Sequence, residues 1–191
     1  MKMLHGKIHH AVVQQPRVLT QLIQSLVKQL NITDDINVKI EKYLLHELLP
    51  GKYLEGHIDV YTNAFLIEIK TTAALLKYWS KDLVDYHLIQ LNTYLGLTKQ
   101  KLGFILLINL RAYFSDVTDF NDVWNKYGCI LPVHFDQELF DNTLAKAKSM
   151  FQEMERGSFS LPGPEFQWEC KYCSKEIQEF CYQERKKNSP A

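Results

Sequence analysis

Two short segments hold side chains that could act together on a substrate. Gly56-His57-Ile58-Asp59 ends on a carboxylate, and Leu66-Ile67-Glu68-Ile69-Lys70 carries a carboxylate and an amine two residues apart. In an extended strand residues i and i+2 share a face, so Glu68 and Lys70 point one way while Ile67 and Ile69 point into the core. A hairpin joining the segments brings Asp59 to the same end of the sheet. Two carboxylates held together repel unless a cation lies between them. Oxygen donors of this kind select a hard divalent ion, Mg²⁺ or Mn²⁺. Such an ion lowers the pKa of a bound water and neutralises a phosphate, and the adjacent lysine can orient or deprotonate that water. The competing reading is a surface hairpin with alternating charges, in which none of the three does chemistry.

Two further groupings bear on that choice. Gly6-Lys7-Ile8-His9-His10 puts histidines near the start of the first helix. Alone, such a histidine is more often a surface or capping residue than a ligand. Gln90 and Tyr94 are four apart and therefore on one face of a helix. Alone, that pair is ordinary helix surface.

The elements that must position these residues can be read from periodicity. From Gly6 to about Leu30 the pattern is helical, interrupted at Pro16, with Arg17 onward the better-formed part. Leu19, Leu22, Ile23, Leu26, Val27 and Leu30 give it one apolar face. From Asn37 the period falls to two, and the run through Leu49 ends at Pro50-Gly51. Tyr53–Thr62 and Ala64–Lys70 form a hairpin about Thr62-Asn63. Asp82–Leu97 is helical. Phe104-Ile105-Leu106-Leu107-Ile108 has the apolar continuity of a strand buried on both faces, and Cys129–Val133 is a further strand. Asp136 caps a helix running to Gly157, with Leu139, Phe140, Leu144, Phe151 and Met154 inward. The tail beyond Gly157 is different in kind, with Pro162-Gly163-Pro164 and then a cysteine cluster. This order implies an α/β domain with a mixed central sheet flanked by helices.

Composition narrows the field. A chain of 191 residues is one domain's worth and needs no disulfides to fold. Lys plus Arg and Asp plus Glu are both 22, which excludes a polycationic nucleic-acid binder while leaving room for a local basic groove. No apolar run is long enough to span a membrane, and the N-terminal residues lack the apolar core of a signal peptide. A soluble cytoplasmic protein is therefore expected. In a reducing cell Cys170-x-x-Cys173 is more at home on a metal than in a disulfide.

Four motifs in order, G-x-x-x-H at Gly6–His10, G-x-x-D at Gly56–Asp59, E-x-K at Glu68–Lys70 and Q-x-x-x-Y at Gln90–Tyr94, resemble the RecB-like branch of the PD-(D/E)XK nuclease superfamily. Within it the chain is similar to the CRISPR-associated RecB-like exonucleases (the fourth Cas family) and their viral relatives. The resemblance implies a restriction-endonuclease-like core over residues 1–157, with 158–191 a cysteine-rich segment packed on it. It implies that His10, Asp59, Glu68 and the backbone carbonyl of Ile69 hold the Mg²⁺ or Mn²⁺, with His9 in place of His10 if the first helix is phased differently. Lys70 would position the attacking water, and Gln90 and Tyr94 would brace the site. The implied activity is metal-dependent hydrolysis of DNA, single-stranded or with free ends, in DNA processing, repair, replication or CRISPR spacer acquisition. The implied partners are other DNA-processing or CRISPR adaptation proteins. A non-catalytic or weakly catalytic DNA-binding scaffold is the rival expectation. A metal-stapled DNA-binding regulator is a third, which leaves Glu68 and Lys70 unexplained.

Many members of this branch hold an iron–sulfur cluster on one cysteine upstream of the histidine motif and three at the C-terminus. Here Cys170 and Cys173 fit, Cys181 follows after a longer gap than usual, and no cysteine precedes His10, so Cys129 is the candidate fourth ligand. Zinc on the same four residues, or a buried free Cys129 with a C-terminal disulfide or free thiols, are the alternatives.

Overall fold

A computed structural model describes residues 16–72, 81–109 and 128–157, together with isolated helical positions between 175 and 183. The elements are α1 (Pro16–Gln29), β1 (Val38–Leu49), β2 (Lys52–Thr62), β3 (Leu66–Thr72), α2 (Lys81–Thr98), β4 (Leu102–Asn109), β5 (Gly128–His134) and α3 (Gln137–Glu155). Pro16 opens α1, a position where its missing N–H costs nothing.

The five strands form one mixed sheet in the order β1-β2-β3-β4-β5. Only β3 and β4 run parallel, and α2 makes the crossover between them. The hairpin predicted about Thr62-Asn63 forms, and β1 and β2 form another across Pro50-Gly51, where the first extended run is expected to end. Gly51 (φ 72°) takes the left-handed conformation that the β1/β2 turn requires. At the β2/β3 turn the Thr62 hydroxyl accepts the N–H groups of Ala64 (3.1 Å) and Phe65 (2.8 Å) and donates to the Phe65 carbonyl (2.6 Å). Pro132 sits in β5, an edge strand, where a missing donor is tolerated.

The sheet has an apolar cluster on each face. Val60, Ile67, Ile69, Phe104 and Leu106 pack with Leu19, Leu22, Ile23 and Leu26 of α1. Ile58, Leu66, Ile105, Leu107 and Val133 pack with Leu91 and Leu95 of α2. The apolar run in β4 is thus explained: successive residues serve opposite faces, both covered. Ile67 and Ile69 point away from the face carrying Glu68 and Lys70, as their spacing predicts.

The β1/β2 register shifts between Glu47 and Leu49, and the alternation of buried faces also breaks around Asp59. Ile58, Asp59 and Val60 are buried in succession, Ile58 in the α2-side cluster and Val60 in the α1-side cluster. Ile40 pairs with Val60 and Lys42 with Ile58, so Glu41 lies opposite Asp59 in the ladder. Glu41 has φ 51°, a left-handed conformation in mid-strand for a residue with a side chain. The β1/β2 ladder keeps one register on either side of Glu41 and Asp59, which are not themselves paired in it.

Asp136 caps α3 as expected, its carboxylate accepting the Leu139 N–H at 3.0 Å. Phe140 packs on Phe135, with ring centroids 5.7 Å apart. The expectation that Met154 faces inward is wrong: it is 57% exposed. None of the apolar positions expected to face inward along α3 is fully buried. Spacing marks an apolar helix face, but it does not show that a partner covers it. The chain divides into two compact units, Met1–Thr143 and Leu144–Ala191, and the division falls inside α3. Among the described residues no helix is long and apolar enough to cross a membrane.

Candidate active site

β2 and β3 bring the two acidic segments together. Val60 pairs with Ile67 and Tyr61 with Leu66. Asp59 and Glu68 are the next residues along the two strands. There a side chain continues the pairing: the Asp59 Oδ2 accepts the Ile69 N–H at 2.6 Å. Asp59 is 7% exposed and Glu68 2%. A surface hairpin with alternating charges would leave both in water, so that reading fails. Burying carboxylates is costly, and it persists only where something offsets their charge.

Lys70 supplies part of that offset. Its Nζ donates to Glu68 Oε1 at 2.5 Å and to Gln90 Oε1 at 3.0 Å. Gln90 in turn donates through Nε2 to the Tyr94 hydroxyl at 3.1 Å. The helical spacing of Gln90 and Tyr94 puts both over the sheet, because Leu91 and Leu95 on the same helix are buried in the α2-side cluster. Tyr94 reaches across to β2, where it lies against Gly56. A Cβ at that position would stand 2.6 Å from the Tyr94 hydroxyl, so the glycine is required by close approach rather than by backbone conformation.

The electrostatics follow from burial. Desolvation pushes the Asp59 carboxyl up to about 6, and the negative charge of Glu41 adds to the rise. The Ile69 N–H and the Lys70 ammonium oppose it without cancelling it. The Tyr94 phenol is raised mainly by burial, with Glu68 and Asp59 contributing and the Gln90 hydrogen bond opposing. His87, one turn before Gln90, is lowered to about 4 by burial first and by the Lys70 charge second, so it is neutral at pH 7.

Of the residues picked out in the sequence, Asp59, Glu68, Ile69, Lys70, Gln90 and Tyr94 lie in this one cluster. Cys129 is in β5, paired with Leu107 and two strands from β3; its side chain lies outside the described residues. His9, His10, Cys170, Cys173 and Cys181 also lie outside them. Two residues of the neighbourhood were not singled out from the sequence. His87 had a usable signal, since it is three before Gln90 and seven before Tyr94 on the same helix face. Glu41 had none short of the strand register that sets it opposite Asp59.

The donor set suits a hard divalent ion. Asp59, Glu68 and the Ile69 carbonyl are all oxygen donors, and burial raises the Asp59 carboxyl. Among the described residues no three His, Cys, Asp or Glu side chains gather. Among the described residues the carboxylate donors of this cluster are Asp59 and Glu68.

No protein-family model matches the chain, and no curated protein does. A solved structure described as the crystal structure of SSO0001 is similar at 22% identity with a TM-score of 0.46, over 88% of this chain and 65% of that one. The chain thus spans a little under two thirds of the length of that protein.

Proposed function

We propose that the chain is a divalent-metal-dependent deoxyribonuclease of the PD-(D/E)XK type, with a restriction-endonuclease-like core, acting on single-stranded DNA or strand ends. The observation that carries this reading is the joined set Asp59, Glu68 and Lys70: two buried carboxylates on adjacent strands, and an ammonium held between one of them and Gln90. Asp59, Glu68 and the Ile69 carbonyl, with His10, would hold Mg²⁺ or Mn²⁺, which when bound supplies charge neutralisation and an acidified water for phosphodiester hydrolysis.

The remaining work falls to the protein's own groups. Lys70 carries three N–H donors and uses two on Glu68 and Gln90. The third can hold a water or a phosphate oxygen. Gln90 and Tyr94 fix the ammonium in one place, so its orientation is set before substrate arrives. The cysteine ligand set, iron–sulfur or zinc on Cys129, Cys170, Cys173 and Cys181, belongs to the same proposal. A visible spectrum and iron and zinc analysis of anaerobically purified protein decide it.

Labelled single- and double-stranded DNA incubated with Mg²⁺, Mn²⁺ or EDTA tests the function. Degradation of single strands or ends with either ion and none in EDTA is expected. Lys70→Ala and Glu68→Ala should each lower cleavage by roughly a thousand-fold, and Lys70→Ala should leave DNA binding nearly intact. Undiminished cleavage in either variant removes the mechanism. Binding without cleavage under any ion supports the scaffold reading.

A further inference from the structure

Tyr86 lies on α2 immediately before His87 and is 46% exposed. Its ring meets the His87 imidazole edge to face, centroids 5.6 Å apart and planes at 72°. Tyr86 is four residues before Gln90, so the two lie on one face of α2, and Tyr94 follows one turn later as the residue to which Gln90 donates. The helix beneath it is anchored by the buried Leu91 and Leu95. A large ring is therefore half exposed beside the candidate site, on the helix face that carries Gln90. Nucleic-acid strands without a complement use such rings, because every base has a π-face and an ordered ring loses little freedom on stacking.

We infer that Tyr86 is the ring on which an unpaired base of the substrate strand stacks beside the candidate site. The inference rests on the nuclease reading and narrows its substrate to a strand with accessible bases. Tyr43 is a useful contrast. It is also half exposed and touches a histidine ring, that of His57 at 5.1 Å. Its hydroxyl, however, donates to the Glu55 carboxylate at 3.1 Å, and Glu47 follows on the same face of β1. Two carboxylates there oppose a phosphate chain, so Tyr43 is not a base platform.

The test is binding of a fluorescent oligothymidylate, and of the same strand with abasic sites throughout, to the full chain in Ca²⁺. Tyr86→Ala should weaken binding of the base-bearing strand by roughly ten- to a hundred-fold. Tyr86→Phe and Tyr86→Trp should bind like the parent, and Tyr43→Ala should be unchanged. On the abasic strand Tyr86→Ala and the parent should be equal. Equal binding of the base-bearing strand by Tyr86→Ala and the parent overturns the inference, and so does a loss that persists in full on the abasic strand. If Tyr86→Phe also loses binding, the phenol hydroxyl rather than the ring carries the contact and stacking is overturned. Metal-dependent cleavage that needs Lys70 but ignores Tyr86 overturns the inference alone. A Tyr86 effect in a protein that cleaves nothing overturns the nuclease reading alone. A parent chain that binds neither strand overturns both.

Discussion

Asp59 is where local chemistry and folding meet. Its carboxyl titrates near 6 in the folded chain against an ordinary value of 3.8, because burial and Glu41 outweigh the Ile69 N–H and Lys70. A folded-state pKa raised above the unfolded value means that the folded chain binds the extra proton between these two values. Stability from this group is thus present below about pH 4 and is lost as pH rises to 6, by at most about 3 kcal/mol. His87 acts in the opposite sense over nearly the same window. Its pKa is lowered to about 4, so protonating the unfolded chain costs the fold stability as pH falls below about 6.5. The difference between the parent and Asp59→Asn isolates the first effect. In EDTA at pH 7.5, Asp59→Asn should melt at a higher temperature than the parent, with the gap closing towards pH 4. Mg²⁺ or Mn²⁺ should raise the melting temperature of the parent more at pH 7.5 than at pH 5 and should do little for Asp59→Asn. A parent that melts above Asp59→Asn in EDTA at pH 7.5 would sink this account. The carboxylate pair itself was legible in the sequence, because Glu68 and Lys70 two apart must share a strand face. The burial that gives the pair its cost was not, since alternating charges read equally well as solvated surface.

At the scale of elements, α2 and β2 meet at the site through the approach of Tyr94 to Gly56. Gly56 admits the Tyr94 ring, Tyr94 holds Gln90, and Gln90 holds Lys70. A methyl group at Gly56 would press on the hydroxyl and ring edge of Tyr94 and must displace it. Gly56→Ala should therefore lower cleavage by roughly ten-fold or more while costing about 1–3 kcal/mol of stability. Tyr94→Phe removes the same hydrogen bond by another route. If the path runs through Tyr94, the double variant should lose less than the sum of the two singles in free energy. Strict additivity of the two effects on cleavage would show that Gly56 acts elsewhere. Most of this scale could be read in advance. Pro50-Gly51 and Thr62-Asn63 marked the two turns, and Phe104–Ile108 marked a strand covered on both sides. What escaped was information that resides in pairing. The left-handed Glu41 is an ordinary glutamate until β1 is laid opposite Asp59. Met154 keeps helical spacing with its apolar neighbours but is exposed, because periodicity carries no record of which face finds a partner.

For the whole molecule, the equality of 22 basic and 22 acidic residues sets how it meets a polyanion. A chain without net charge has no overall positive field to draw DNA in, so attraction must come from local contacts. Two of the acids, Asp59 and Glu68, lie in the candidate site and would repel a phosphate when no cation is bound. Lys70 is the ammonium beside them, and Glu68 already engages it. Binding without a divalent ion should therefore be weak, and a divalent ion should strengthen it by removing repulsion rather than by adding a basic surface. The two origins differ in their salt dependence. Each phosphate neutralised on a single strand contributes about −0.7 to the slope of log K against log salt. A site that engages two or three phosphates gives a slope of roughly −2, a loss of roughly ten- to twenty-fold between about 50 and 200 mM salt. Titrating an oligonucleotide in Ca²⁺ over this range measures it. A shallow slope with affinity that falls sharply in EDTA fits a neutral protein with one cation-dependent site. A slope steeper than about −4, unchanged by EDTA, would require a basic groove remote from Asp59 and Glu68, and the charge balance of the chain would then conceal a strongly polar distribution.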